Sequence, residues 1–183
     1  MEGNAAIASG DASHAEGNSY IDSSTGSPQT MYTTAQGEAS HAEGSGTTAI
    51  GDTSHAEGTA TIAKSAQSHA EGFATYAGDE HSDEDGFSAH AEGSHTRASG
   101  NASHAEGISS MSYGAGAHAE GFTTTAQGNN SHAEGDNTVA SGDSAHAEGA
   151  RYNKDNNKKT TASGFASHAE GEGAKAVGEV SHA

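Results

Sequence analysis

The stretch "ASHAEGNSY" at residues 12–20 decides the fold of this chain, because its central motif recurs along the whole sequence. Most successive copies lie 14 residues apart, and three longer steps carry extra segments of 13, 7 and 8 residues. Self-similarity at a fixed period predicts a repeat fold, here of about eleven stacked units. The complete His-Ala-Glu-Gly copies begin at His14, His41, His55, His69, His90, His104, His118, His132, His146 and His168, and a further copy starts at His182.

The composition excludes an ordinary globular core. The 183 residues include no Leu, Trp or Cys, one Pro and 26 Gly, so large apolar side chains are scarce and disulfides are absent. What remains is either a disordered low-complexity polymer or a repeat protein whose units bury little and stack on their neighbours. A formal charge of −18 argues against nucleic acid and anionic membrane surfaces as partners. No apolar run reaches transmembrane length, so we expect no membrane insertion.

Each unit divides into two halves of seven residues. One half reads x-x-Ser-His-Ala-Glu-Gly and the other x-x-Thr-x-Ala-x-Gly, as in residues 47–51. The alternation of small and variable residues predicts a short strand, and the Gly permits a turn or a close backbone approach. Two strands and two turns make one flat coil of a parallel β-roll. We therefore predict an all-β solenoid, a single repeat domain over residues 1–183, forming a rod about 50 Å long.

The two faces of the predicted strands differ. The Ala at the centre of the last five residues of each half, with the flanking Ser and Thr, should form the thin interior of the coil. The outward positions vary in the Thr half, but in the other half they are always His and Glu. We call these outward side chains the His-Glu ladder and predict that they form a polar subunit interface. The ladder comprises His14, Glu16, His41, Glu43, His55, Glu57, His69, Glu71, His90, Glu92, His104, Glu106, His118, Glu120, His132, Glu134, His146, Glu148, His168 and Glu170.

Two chemical alternatives apply to the ladder. Ser13, His14 and Glu16 are the residue types of a catalytic triad, but adjacent strand residues point to opposite faces, so we predict that the chain is not an enzyme. Metal binding is the second alternative, because His-x-Glu places an imidazole and a carboxylate on one face. One chain offers few ligands at each level, whereas three chains around an axis would offer three His and three Glu. We expect no cofactor and leave open a metal ion on such an axis.

The 14-residue unit with Ser-x-Ala-x-Gly halves resembles the head repeats of YadA-type trimeric autotransporter adhesins. Its SHAEG version is similar to repeats in phage and prophage tail-fibre and appendage proteins. The resemblance covers nearly the whole chain apart from the extra segments. It implies a left-handed parallel β-roll assembled as a homotrimer, in which His14, Glu16 and their copies take interior places that are apolar in the adhesins. A polar seam therefore replaces an apolar one, and we expect acid to weaken such an assembly.

The three extra segments lie near residues 18–33, 78–86 and 150–159 and should project from the rod as loops. The second is acidic, and Asp83 and Asp85 echo part of a calcium loop without its full spacing or final Glu. The first contains Tyr20, Ile21, Met31 and Tyr32, which are enough to fold over the rod or to touch a partner, and the third contains four of the seven basic residues. The candidate partner-binding residues are Tyr20, Tyr32, Arg151, Tyr152, Lys154, Lys158 and Lys159.

These features predict a non-enzymatic, rigid trimeric spacer of a phage or prophage tail fibre that displays host-contacting loops. Its partners would be two further copies of itself, other fibre components and a host cell-surface glycan. It would be located on the virion tail fibre or at the cell surface. The alternative is the head domain of a bacterial trimeric surface adhesin. An ice-binding solenoid, suggested by residues 123–125, is less favoured because the Thr half varies. Since the chain starts and stops inside a unit, we expect it to be a piece of a longer protein.

Overall fold

The computed structural model describes residues 6–23, 29–79, 86–150 and 159–183. Over these residues the chain forms two long parallel sheets and one short antiparallel hairpin. The described part contains no helix, and so none that could cross a membrane. The predicted all-β, parallel, solenoid-like architecture is therefore confirmed.

The Thr sheet contains the second half of each unit and has eleven strands. Its strands are short because only two or three residues per coil keep extended pairing before the chain turns. They are β1 (Ala6–Ala8), β5 (Thr33–Ala35), β7 (Thr48–Ala49), β9 (Ile62–Ala63), β11 (Tyr76–Ala77), β13 (Arg97–Ala98), β15 (Met111–Ser112), β17 (Thr125–Ala126), β19 (Thr138–Ala140), β21 (Thr160–Ala162) and β23 (Lys175–Ala176).

The His-Glu sheet contains the SHAEG halves and has ten strands, most of them five residues long. The remaining two strands, β3 (Tyr20–Asp22) and β4 (Gln29–Met31), form the hairpin of the first extra segment. The strands of the His-Glu sheet are β2 (His14–Asn18), β6 (His41–Ser45), β8 (His55–Thr59), β10 (His69–Phe73), β12 (His90–Ser94), β14 (His104–Ile108), β16 (His118–Phe122), β18 (His132–Asp136), β20 (His146–Gly149) and β22 (His168–Glu170).

Strand register is the same at every step of the His-Glu sheet. His pairs with His and Ala with Ala between successive coils, including the steps that contain an extra segment, such as His14 with His41 and His146 with His168. A register slip of one residue would turn every Ala outward, which is why the alternating pattern specifies the pairing so strictly. The extra segments therefore leave the rod uninterrupted.

The interior of the coil is built from the smallest side chains. Every buried apolar side chain among the described residues is an Ala, and most of them are fully inaccessible. The one Thr half without this Ala has Ser112, which is 0% exposed and donates its hydroxyl hydrogen bond to the Ala117 carbonyl at 2.8 Å. Buried Ser and Thr fill the remaining space, as predicted. A wall this thin has no room for Val or Leu.

The turns contain a feature that the sequence pattern did not reveal. In the turn from Gly51 to Ser54, the Ser54 N–H and hydroxyl both donate to the Gly51 carbonyl, at 3.2 and 2.6 Å. The third turn residue, Thr53, has a φ of 54°. Sixteen described non-Gly residues have positive φ. This region is costly for most side chains and worst for β-branched ones, so the turns retain backbone strain.

We expect Thr123→Asn to stabilise the fold by about 0.5–1 kcal/mol, because Asn tolerates positive φ far better than a β-branched residue. Thr123 is exposed with a φ of 58°, and Asn137 occupies the same turn position one coil later with a φ of 61°. Thermal unfolding should show a melting temperature about 1–4 °C higher. Thr125→Asn, the same change in strand β17, should be neutral or destabilising. A lower melting temperature for Thr123→Asn would contradict the assignment of strain.

The first extra segment folds back onto the rod. The Tyr20 ring meets the Phe73 ring edge-on, with centroids 6.3 Å apart. Gly46 lies beneath the hairpin, where an added Cβ would be only 2.6 Å from the Tyr20 Cβ. The described part of this segment is therefore a hairpin that Tyr20 packs onto the rod, which is one of the two outcomes expected of its large side chains.

Candidate functional site: the His-Glu ladder

The His-Glu ladder lies on the outer face of the His-Glu sheet. In strand β10 the side chain of Ala70 is fully buried, whereas the side chains of His69 and Glu71 on either side are 36% and 35% exposed. The same alternation occurs in every strand of the sheet because successive residues of a strand face opposite sides. The structure thus brings all twenty predicted ladder residues to one surface.

The imidazoles form a continuous stack. Ring centroids of successive His are 4.7–4.9 Å apart, and from His41 onward the rings are within 10° of parallel. His182 continues the stack above His168. The spacing equals the separation of paired strands, so the sheet itself sets the ring stacking.

Each imidazole lies close to a carboxylate, and the partner changes along the rod. His55 Nε2 is 3.8 Å from Glu57 of its own coil. Toward the other end, His146 Nε2 is 3.2 Å from Glu134 of the preceding coil, within hydrogen-bonding distance. His118 lies between the two arrangements, 3.5 Å from Glu106 and 4.0 Å from Glu120. The ladder therefore links neighbouring coils as well as residues within one coil.

The carboxylates interact with one another along the column. Hydrogen bonding to Glu106 raises the pKa of Glu92 to about 7, with burial and Glu71 acting in the same direction. Hydrogen bonding to Glu106 and Glu134 likewise raises the pKa of Glu120 to about 7. Glu106, which accepts from both neighbours, has a lowered pKa. Closely stacked carboxylates cannot all be ionised, so Glu92 and Glu120 are partly protonated near neutral pH.

Burial lowers the pKa of several ladder histidines, and neighbouring imidazoles lower it further because like charges would be stacked. These residues are His55, His90, His104 and His132. Near neutral pH these four imidazoles are neutral. They lie on the same outer face as the carboxylates that share protons with one another. The charge on this face is therefore smaller than the residue count suggests.

Where a serine precedes a ladder histidine, as Ser13 and Ser40 do, its hydroxyl points away from that histidine. Ser13 donates its hydroxyl hydrogen bond to the Gly10 carbonyl at 2.6 Å, and Ser40 makes the same contact with Gly37 at 2.7 Å. Both contacts close turns. In these coils the hydroxyl is thus a structural donor, and Ser13, His14 and Glu16 do not assemble as a triad.

The outer face of the Thr sheet has no regular chemistry. Successive coils place Ile62, Tyr76, Arg97 and Met111 at one outward position. The regular Thr column, which includes Thr47, lies inside the coil and is fully buried. A flat hydroxyl array for ice therefore does not form on this face, and the ice-binding alternative loses its support.

The predicted partner-binding residues are placed only in part. Tyr20 packs on the rod, Tyr32 is 49% exposed, and Lys159 is exposed. The sequence did not single out Phe73 and His95, which with Tyr20 border a pocket of about 240 Å³. The sequence did contain one indication of Phe73, because a large aromatic residue directly follows Glu71-Gly72 at that position. The other candidates, Arg151, Tyr152, Lys154, Lys158, Asp83 and Asp85, lie outside the described residues.

Comparison with known families agrees with this geometry. The family model described as "YadA head domain repeat (2 copies)" matches residues 32–54, 42–63, 119–145 and 133–151. No curated protein matches the chain. The YadA head is an adhesin-type structural fold rather than an enzyme family, and domains of this type are exposed at the cell surface. The matched segments lie in the same uninterrupted stack of coils as the rest of the rod. Residues 32–63 and 119–151 are therefore similar to YadA-type head repeats.

Proposed function

We propose that this chain is a rigid spacer of a homotrimeric phage or prophage tail fibre. The observation that carries the proposal is the constant register of the coils, which the extra segments do not interrupt. Each coil contacts only its neighbours, so such a stack sets a fixed length and stiffness. The chain would be located on the virion tail fibre, with other fibre components before and after it.

The His-Glu ladder is the proposed trimer interface. It is the one face with identical residues in successive coils, and its side chains remain about one-third exposed in a single chain, as for His90 (35%) and Glu92 (32%). Neutral imidazoles and protonated carboxyls both donate and accept hydrogen bonds, so two further copies of the same face would complement them. A polar interface is stable only when its groups are all paired, which explains the strict repetition.

The extra segments are the proposed host-contacting loops. Tyr32, which directly follows the hairpin of β3 and β4, is exposed, and Tyr20 of the hairpin borders a pocket together with Phe73 and His95. Aromatic rings beside polar groups suit the apolar faces and hydroxyls of a sugar ring, so a host cell-surface glycan is the proposed partner. The remaining two segments would extend this display along the rod.

Light scattering tests the trimer directly. For the untagged chain at micromolar concentration we expect a mass of about 54 kDa, three times the 18.1 kDa of one chain. Serial dilution should not change this mass until the nanomolar range if the interface is as extensive as the ladder. A mass of one chain at micromolar concentration would contradict the trimer.

The family match favours one alternative, the head of a bacterial trimeric surface adhesin. The neighbouring genes separate the two functions. Tail-assembly genes on both sides, together with the chain in purified virions by mass spectrometry, would support the tail fibre. An outer-membrane anchor encoded in the same reading frame would instead establish the adhesin.

A further inference from the structure

Adjacent coils of one chain bring metal-ligand atoms together. His90, Glu92 and His104 each offer a ligand atom, and these three atoms all lie within 4.8 Å of one another. The described residues contain five such sets, each from two adjacent coils. Four sets are His-Glu-His and one is Glu-His-Glu. The repeat therefore generates the same three-ligand arrangement several times along the rod.

The ligand types are those of a first-row divalent cation. Neutral imidazole nitrogen and carboxylate oxygen bind Zn²⁺ at about 2.0–2.2 Å, which places ligand atoms of one tetrahedral ion roughly 3.3 Å apart. Small rotations of half-exposed side chains would close the present separations to that value. The Nε2 atoms of His69, His90 and His104 have no hydrogen-bond partner, so their ligand positions are unused.

We infer that each chain binds a row of divalent cations of the zinc type along the His-Glu ladder, each held by side chains of two adjacent coils. This arrangement differs from the expectation of a metal on a three-chain axis, where three chains would each supply ligands from the same coil. Here two adjacent coils of one chain supply all the protein ligands. The inference is thus independent of the trimer, and water would fill the remaining coordination positions in a single chain.

The geometry also limits how many ions bind. His132 belongs to two sets, with Glu120 on one side and Glu134 on the other, and it offers one ligand atom. The five sets can therefore hold four ions at once. Each ion then occupies two coils, so neighbouring ions lie at least about 9.6 Å apart, where their repulsion is at most about half of that between adjacent coils.

A groove leads to the carboxylate side of the ladder. It has a volume of about 650 Å³ and is bordered by Glu16, Glu43, Glu57 and Glu71 together with the glycines that follow them. Glycine leaves this side of the sheet without side chains, so a hydrated ion can approach the carboxylates from solvent.

Equilibrium dialysis against ZnCl₂ tests the inference on the untagged full chain, stripped of metal beforehand. We expect about four zinc ions per chain for the unmodified protein. The triple variant Glu92→Gln, Glu120→Gln and Glu134→Gln removes the carboxylate from three sets, and bound zinc should fall to about two per chain. The control is Asp11→Asn, Glu38→Gln and Glu179→Gln, which removes the same charge from exposed residues outside the ladder and should leave the stoichiometry unchanged.

Zinc-edge X-ray absorption of the unmodified protein supplies an independent readout. We expect imidazole nitrogen in the first shell at about 2.0–2.1 Å. No bound zinc, an equal loss in both triple variants, or a shell of oxygen alone would each overturn the inference. Because stoichiometry is counted per chain, a monomeric protein that binds zinc would disprove the trimer and retain the metal sites.

Discussion

Gly128→Ala is expected to destabilise the chain by at least about 3 kcal/mol, while Gly178→Ala should change its stability by less than about 0.5 kcal/mol. Both residues end a Thr half, and neither has positive φ. A Cβ on Gly128 would lie 2.1 Å from the Gly142 carbonyl oxygen of the next coil. The nearest atom to a Cβ on Gly178 is 3.7 Å away. The pair therefore isolates the close approach of stacked backbones.

The clash at Gly128 involves backbone, so no side-chain rotation relieves it. The coils would have to separate locally, which breaks backbone hydrogen bonds between neighbouring strands on both sides of the site. Chemical denaturation followed by circular dichroism measures the loss. A free energy of unfolding for Gly128→Ala within about 0.5 kcal/mol of that for Gly178→Ala would disprove the argument.

A second glycine pair separates backbone strain from the clash. Gly121 and Gly171 both end SHAEG halves, with φ values of +110° and +99°. A Cβ on Gly121 would meet the Gly135 carbonyl oxygen at 2.2 Å, whereas a Cβ on Gly171 meets nothing within 4 Å. Gly171→Ala should cost about 1–3 kcal/mol from strain alone. Gly121→Ala should cost clearly more, and equal losses would show that strain decides both.

The melting temperature of the metal-free chain should fall as the pH rises from about 5.5 to 8. The pKa of Glu92 and Glu120 is about 7 in the folded chain against an ordinary value of 4.5. The folded state therefore binds these protons more tightly, and their contribution to stability, complete below pH 4.5, is lost as the pH rises through 7. This prediction concerns the fold of a single chain, whereas the acid weakening expected from the residue types concerns the trimer.

Other ladder groups act in the opposite sense. The lowered pKa of Glu106 gives stability that is present above 4.5 and lost in stronger acid. The lowered pKa of His90 and His104 gives stability that is present above 6.5 and lost as these imidazoles are forced to protonate. The two glutamates have the larger shifts, so they dominate between about pH 4.5 and 7 and place maximum stability in weak acid.

Replacing Glu92 and Glu120 should remove their contribution to the pH dependence. The double variant Glu92→Gln and Glu120→Gln keeps the shape of the protonated carboxyls and leaves Glu106 between neutral neighbours. At pH 8 we expect a gain of about 1–2 kcal/mol, a modest value because the groups are partly solvated, and a melting temperature about 3–6 °C higher. Glu38→Gln with Glu179→Gln removes the same charge outside the ladder and should show no such gain. A flat profile in the unmodified chain would contradict the shared-proton column.

The coil itself was predictable from the sequence. A 14-residue period, an Ala two residues before the closing Gly of each half and that Gly itself leave one arrangement in which the small side chains face inward. The same alternation assigned His and Glu to one outer face, so the members of the ladder were identified before the structure was known. The hairpin over the rod was foreseen only as one of two outcomes for the large side chains of the first extra segment.

The features that could be learned only from the tertiary structure all depend on distances between stacked coils. Positive φ at Thr53 could not be foreseen, because Thr avoids that region and only the stacking on both sides holds it there. The shared protons of Glu92 and Glu120, and the ligand sets of two adjacent coils, arise because parallel pairing brings residues 14 or more positions apart to within about 5 Å. The period of the sequence determined which residues recur. The spacing of the stacked strands determined which of them are close enough to share protons or to bind one metal ion together.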